Sequence, residues 1–208
     1  MFRKSKKEEY YSRRAKEEGY PARSVYKLKE IDEKYKIFRS GNKVLDLGCA
    51  PGSWLAYIFG RVGIDGLVVG VDSEEIKIPL AVNMRFVRKN VMDLKVDDFI
   101  SRDRISRYDL ERGFDVVVSD LAPKTTGVKM ADIVNSVILA DKALSLAKMF
   151  LRPGGNFVCK VFEGELAEEF FREAKKNFEF AKRFRPKAVS KESKEFFVVG
   201  LGMKMATA

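Results

Sequence analysis

The chain has 208 residues, no histidine, and 40 Lys+Arg against 30 Asp+Glu, a formal net charge of +10. That length makes one domain with a sizeable buried core the first expectation. Without histidine there are no His triads, His metal ligands or His general bases, and any proton transfer falls to Lys, Asp, Glu, Tyr or Cys.

The charge is unevenly placed along the chain. Residues 1–40 hold 13 Lys+Arg against 7 Asp+Glu, residues 41–169 hold 17 against 19, and residues 170–208 hold 10 against 4. A near-neutral centre between two basic ends points to a polyanionic partner; the plainer alternative is a solvated basic surface. Residues 1–18 are rich in Lys, Arg and Glu and read as an exposed helix or a partly disordered arm. Gly19-Tyr20-Pro21 breaks it. Val25, Leu28 and Ile31, with Tyr35 further on, lie at helical spacing and predict a helix from Arg23 to about Tyr35 with one face packed on the core. Ser40-Gly41-Asn42 turns the chain into the first strand.

Val44-Leu45-Asp46-Leu47-Gly48-Cys49-Ala50-Pro51-Gly52-Ser53-Trp54 reads as a buried parallel strand, a tight loop and a helix start. In an open α/β sheet, ligands sit at the C-terminal end of such a strand. A dinucleotide fingerprint would be G-x-G-x-x-G, but Ala50 and Ser53 take its second and third glycine positions, so a pyrophosphate cofactor is disfavoured. No G-x-x-x-x-G-K-[ST] occurs either. The loop instead looks like the S-adenosylmethionine (AdoMet) loop of Rossmann-like methyltransferases.

Trp54–Phe59 predicts the first crossover helix and Leu67–Val71 the second strand. Asp72 closes that strand, where a carboxylate can accept hydrogen bonds from both ribose hydroxyls. Residues 73–81 are expected to form a short helix limited by Pro79. Met84–Val87 is a third strand, Val96 to about Ile105 a helix, and residues 103–112 a charged surface loop. Phe114–Asp120 is a fourth strand, again closed by an acid, and residues 121–127 form a loop. Met130–Phe150 is a long helix ended by Arg152-Pro153-Gly154-Gly155. Asn156–Phe162 is strand five and carries Lys160 near its end. Leu166–Lys176 is a helix. Phe180–Arg185 and Glu195–Leu201 are two final strands, a hairpin-like pair with the last antiparallel. Alternating strands and helices predict a mostly parallel seven-stranded sheet covered on both faces.

No apolar run nears the ~18 residues of a membrane span, and no apolar stretch follows Met1-Phe2-Arg3-Lys4 as in a secretory signal. Cys49 and Cys159 form no C-x-x-C pair. A cytoplasmic, reduced protein is expected. Absence of glutamine alongside abundant Lys and Glu leans towards a thermophilic source.

Asp72, Asp120 and Lys160 thus fall on one rim of the sheet. A lysine near the end of a buried strand is costly unless it is paired. Taken singly, Lys160 could lay its stem on the sheet with its head in water, and Asp120 could cap the following turn. Both together beside a cofactor loop suggest a site.

The sequence resembles the FtsJ/RrmJ-like ribosomal RNA large-subunit 2′-O-ribose methyltransferases, the RlmE family. The likeness runs from about Tyr11 to Gly202. It rests on Ser24–Ile31, the loop Asp46–Trp54, Ser119-Asp120-Leu121-Ala122-Pro123, Lys160-Val161-Phe162-Glu163-Gly164 and Ser193-Lys194-Glu195-Phe196. It implies a Rossmann-like AdoMet-dependent fold with a basic helical extension over residues 1–40 and a catalytic core over residues 41–208. It also implies a catalytic tetrad of Lys27, Asp120, Lys160 and Glu195, and cofactor contacts at Gly52, Trp54, Asp72, Asn90 and Asp120. Many relatives carry an acid at the Asn90 position to accept from the adenine amino group; an Asn carbonyl can accept the same bond, and Asp93 is the alternative.

The expected reaction is methylation of a ribose, a uridine in 23S RNA, with Lys160 as general base. The substrate is ribosomal RNA or the large ribosomal subunit, and the protein acts as a monomer, without metal or membrane. A transfer RNA ribose methyltransferase with the same tetrad is the nearest alternative. A non-catalytic RNA-binding protein on the same fold is another, and an NAD-dependent dehydrogenase is disfavoured by Ala50 and Ser53. The chemistry suits the residues. A 2′-hydroxyl must lose its proton as it attacks, and a neutral lysine can take it. A carboxylate can orient that amine.

Overall fold

A computed structural model describes residues 6–100, 113–190 and 192–205. Two helices, α1 (Lys6–Glu17) and α2 (Val25–Tyr35), precede the sheet. Then come β1 (Lys43–Leu47), α3 (Ser53–Val62), β2 (Leu67–Asp72), β3 (Met84–Arg88), a 3-10 turn at Val91–Asp93 and a short α4 (Asp97–Ile100). The second half runs β4 (Phe114–Ser119), α5 (Lys129–Phe150), β5 (Leu151–Phe162), α6 (Glu165–Asn177), β6 (Phe178–Phe184) and β7 (Glu195–Met203).

The seven strands form one sheet in the order β3-β2-β1-β4-β5-β7-β6. The pairs from β3 across to β5 are parallel, whereas β7 runs antiparallel to both β5 and β6. Side chains alternate across a strand, so each strand feeds two cores. Leu45, Val117, Phe157, Cys159 and Val198 meet α5 and α6 through Val137, Leu144, Ala167 and Phe170. Val44, Val116, Val158, Phe197 and Val199 meet α2 and α3 through Leu28, Ile31, Leu55 and Ile58. Lys160 has the parity of Val158, and Glu195 that of Phe197, so both belong to the face that α2 covers.

Several expectations are corrected. Residues 73–81 form no helix. They run irregularly over the β1–α3 loop, where Lys77 N donates to Pro51 O at 2.8 Å and Ile78 lies against Gly52. Of the two readings of residues 1–18, the exposed helix holds over their described part: α1 buries Ala15 and sets Tyr11 against Tyr26 of α2. Arg152–Gly155 does not separate α5 from a later strand. β5 starts at Leu151 directly after the helix, and its pairing jumps from Phe114↔Leu151 to Val116↔Asn156, so the Pro-Gly-Gly stretch is a bulge. The final two strands are neighbours, but the last inserts between β5 and β6. The predicted helix after Val96 is described only as α4, and the surface loop at 103–112 lies outside the described residues. No helix among the described residues is long and apolar enough to cross a membrane.

Candidate active site

The β1–α3 turn anchors the site. Gly48 has φ +79° and Gly52 φ +111°, a region disfavoured for side chains, and a Cβ on Gly48 would lie 2.9 Å from Leu121 Cδ2. Glycine therefore lets this turn and the loop after β4 approach closely. Ser53 and Trp54, which open α3, hold the segment before α2. Ala22 N donates to Ser53 Oγ at 2.7 Å, and Trp54 Nε1 donates to Ser24 O at 3.0 Å. The Trp54 ring is buried against Phe197. Its side chain serves to seat α2, and any contact it makes with a ligand at the turn must come from its backbone.

On the other side of α2, the Glu30 carboxylate accepts from Lys187 N at 2.6 Å and Ala188 N at 2.8 Å, tying the helix to the β6–β7 connection. With α2 pinned at both places, Lys27 forms an ion pair with Glu195, the first residue of β7. Because β7 is antiparallel to β5, its start and not its end reaches the rim, with Glu195 opposite Phe162. Lys160 is 6% exposed. Its Nζ donates to Asp120 O at 2.6 Å and lies 2.9 Å from Asp120 Oδ1. The four tetrad residues thus form two lysine–carboxylate pairs on one rim.

Beside them a cavity of about 340 Å³ is lined by Gly48, Asp72, Glu74, Asn90, Asp120 and Lys124 among others. Three acids against one lysine suit a cationic ligand. Asp72 Oδ2 accepts from Ala50 N and Oδ1 from Glu74 N, both at 2.9 Å. Each oxygen keeps a second lone pair, the number a ribose diol needs. Asn90 lines the cavity, and its Oδ1 accepts from Met92 N at 3.0 Å, capping the 3-10 turn. Asp93 is within that turn and is not among the lining residues. The groups therefore fit a nucleoside carrying positive charge, with Asn90 rather than Asp93 at its far end. Gly52 and Trp54 are not among the residues lining this cavity.

Sequence reasoning assigned no role to Asp46, Glu30 or Ser53. Asp46 is fully buried, and neither carboxylate oxygen has a hydrogen-bond partner among the described residues. Burial, and secondly the Asp120 and Asp72 carboxylates, raise its pKa well above the usual range. Folded protein then keeps a proton that unfolded chain loses above about pH 4, so stability falls as pH rises, by up to about 1.4 kcal/mol per pH unit until the native group ionises. Asp46→Asn removes this fall. Urea denaturation from pH 4 to 8 should show the variant gaining on wild type as pH climbs; parallel curves would mean Asp46 is ionised when folded. The thiols offer no alternative base: Cys49 and Cys159 are buried and unbridged, and burial pushes Cys159 up to about 12.

A mixed sheet in this strand order, with charged strand ends around a cationic-ligand cavity, defines a Rossmann-like methyltransferase. The chain belongs to the FtsJ-like methyltransferase family, which matches residues 20–203. It is 43% identical over 196 residues to a protein of Desulfatibacillum aliphaticivorans named Ribosomal RNA large subunit methyltransferase E, covering 94% of this chain and 91% of the relative. A protein of the same name from Lawsonia intracellularis is 42% identical over 200 residues, covering 96% of each. Among solved structures, one assigned as a ribosomal RNA methyltransferase of Plasmodium falciparum superposes with a TM-score of 0.74 at 26% identity, covering 88% of this chain and 98% of that one.

Proposed function

We propose that the protein, acting as a monomer in the cytoplasm, transfers a methyl group from AdoMet to a ribose 2′-hydroxyl of large-subunit ribosomal RNA, a uridine of the 23S species. The observation that carries this is the pairing of Lys160 with Asp120 and of Lys27 with Glu195 beside the acid-lined cavity. The names of the relatives supply the RNA class.

AdoMet, when bound, supplies a methyl group on a sulfonium that departs as a neutral thioether. Asp72 holds its ribose, Asn90 its adenine, and the backbone at Gly52 and Trp54 shapes the turn beneath it. Asp120 lines the cavity and also fixes the Lys160 amine by two contacts, so cofactor and base share one orienting residue. Lys160, as the free amine, takes the proton from the 2′-hydroxyl and later releases it to water. The Lys27–Glu195 pair stands on the same rim, where Glu195 holds the Lys27 side chain in place. Mapping 2′-O-methyl groups in RNA from cells with and without the protein tests the reading. One uridine of 23S RNA should lose its methyl group; a loss confined to transfer RNA, or none, overturns it.

The first helix offers a second test. Several of its cations are already engaged, Arg14 with Glu18 and Arg13 with Glu17, and Glu8 of that helix takes up Arg23. Lys6 and Lys16 are exposed. Replacing both by Ala should weaken RNA binding and reduce the slope of log affinity against log salt by about 1 per lost phosphate contact, with AdoMet affinity unchanged. An unaltered slope would make this helix a structural brace only.

A further inference from the structure

Beyond the tetrad the rim opens into a groove of about 690 Å³ where α5 and α6 begin. It is continuous with the site through the backbone. Glu163 lies three residues after Lys160, Lys194 immediately precedes Glu195, and Glu163 N donates to Lys194 O at 2.8 Å. Asp120 borders the cofactor-sized cavity and bonds Lys160, and the strand that carries Lys160 leads straight into the groove.

The lining has two characters. Lys129 and Lys194 both line it, with side chains near enough to each other that Lys129 lowers the pKa of Lys194. Glu163 draws Lys194 the other way but also faces Arg185 at 3.4 Å. Two ammonium groups held together repel, and an anion bridging them relieves that repulsion. The other wall is apolar: Met130 is 67% exposed, Leu166 36%, and Ile133 forms the floor. Exposed Met and Leu side by side at a site rim ask for a flat apolar partner. A bridging anion next to a flat apolar face, reached directly from a ribose-methylating centre, describes one ligand.

We propose that this groove holds the nucleotide flanking the methylated ribose, its phosphate between Lys129 and Lys194 and its base over Met130 and Leu166. The proposal rests on the ribose-methylating reading above. A single strand fits it, because a base can lie on a protein surface only when unstacked from its neighbour. Glu163 is placed to accept from an amino group on the base edge, which would favour a base carrying one.

The test uses the full-length Lys129→Ala/Lys194→Ala protein, AdoMet, and large ribosomal subunits from cells lacking the protein. KM for the subunit should rise about tenfold, and the salt slope should fall by about 1, as for loss of one phosphate contact. kcat and AdoMet affinity should stay within about twofold, since neither lysine touches the reacting atoms. In parallel, a photo-crosslinking phenylalanine analogue at Met130 should attach to RNA one nucleotide from the methylated uridine. A wild-type KM and salt slope in an active double variant overturns the inference alone. So does a crosslink to a ribosomal protein, which would make the groove a protein-docking surface. A wild-type protein that transfers no methyl group to ribosomal RNA removes the underlying reading and the inference with it.

Discussion

Lys160→Met should abolish most methyl transfer while leaving AdoMet binding near the wild-type level. Lys160 is almost closed to solvent, and methionine fills much of the lysine stem's volume without its amine. What is lost is the group within 2.6 Å of Asp120 O and 2.9 Å of Asp120 Oδ1, and with it the only amine that Asp120 orients among the described residues. Loss of acid–base help costs about 10²- to 10⁴-fold in rate. The fall should appear in the single-turnover rate constant at saturation, where substrate binding and product release no longer contribute. Calorimetry with AdoMet separates this from damage to the cofactor cavity, because Asp72, the residue proposed to hold the ribose, lies on another strand. Near-normal turnover in Lys160→Met would transfer the role of base to Asp120. Equal losses of AdoMet affinity and turnover would mean that Lys160 serves mainly to shape the cavity.

The strand ends were legible because a buried run that closes in an acid is rare without a reason. Asp72 and Asp120 show that pattern directly, and both line the cavity. Lys160 was legible for the same reason, as a charge inside Val158–Phe162. Its alignment with Lys27 and Glu195 was not, since it depends on β7 entering antiparallel between β5 and β6, a tertiary choice that no local period encodes. The family resemblance named Lys27 and Glu195 together; register and the pinning of α2 explain how they meet. Trp54 shows the converse. Its place in the motif says nothing of where the indole points, and the ring turns to Ser24 and Phe197 instead of to the cavity. Pro79 did limit regular structure after β2, but the segment forms no helix because Lys77 and Ile78 are held down on the β1–α3 turn. The basic ends were only partly informative. The Arg14–Glu18 pair is visible as an i,i+4 spacing, whereas Glu8–Arg23 and Glu18–Lys29 arise only once the first two helices pack.

Asp72→Ala should weaken AdoMet binding by roughly 1–3 kcal/mol, about 5- to 150-fold. The carboxylate has about four acceptor positions, and the backbone amides of Ala50 and Glu74 use one on each oxygen. The remaining two match the 2′ and 3′ hydroxyls of the cofactor ribose. Alanine leaves both hydroxyls without a partner, and it also frees the two amides that hold the β1–α3 turn against the end of β2. These two consequences can be separated. S-adenosylhomocysteine shares the ribose and should lose affinity by the same factor as AdoMet. An AdoMet analogue lacking one ribose hydroxyl should bind more weakly than AdoMet to the wild type but equally to Asp72→Ala, because the bond it lacks is already gone. Calorimetric double-mutant cycles read this coupling directly. An affinity unchanged by Asp72→Ala rules out the ribose contact. A loss of affinity that is simply additive with removal of the hydroxyl means Asp72 acts only through the turn, and the diol must then be held elsewhere on the rim, where Glu74 also lines the same cavity.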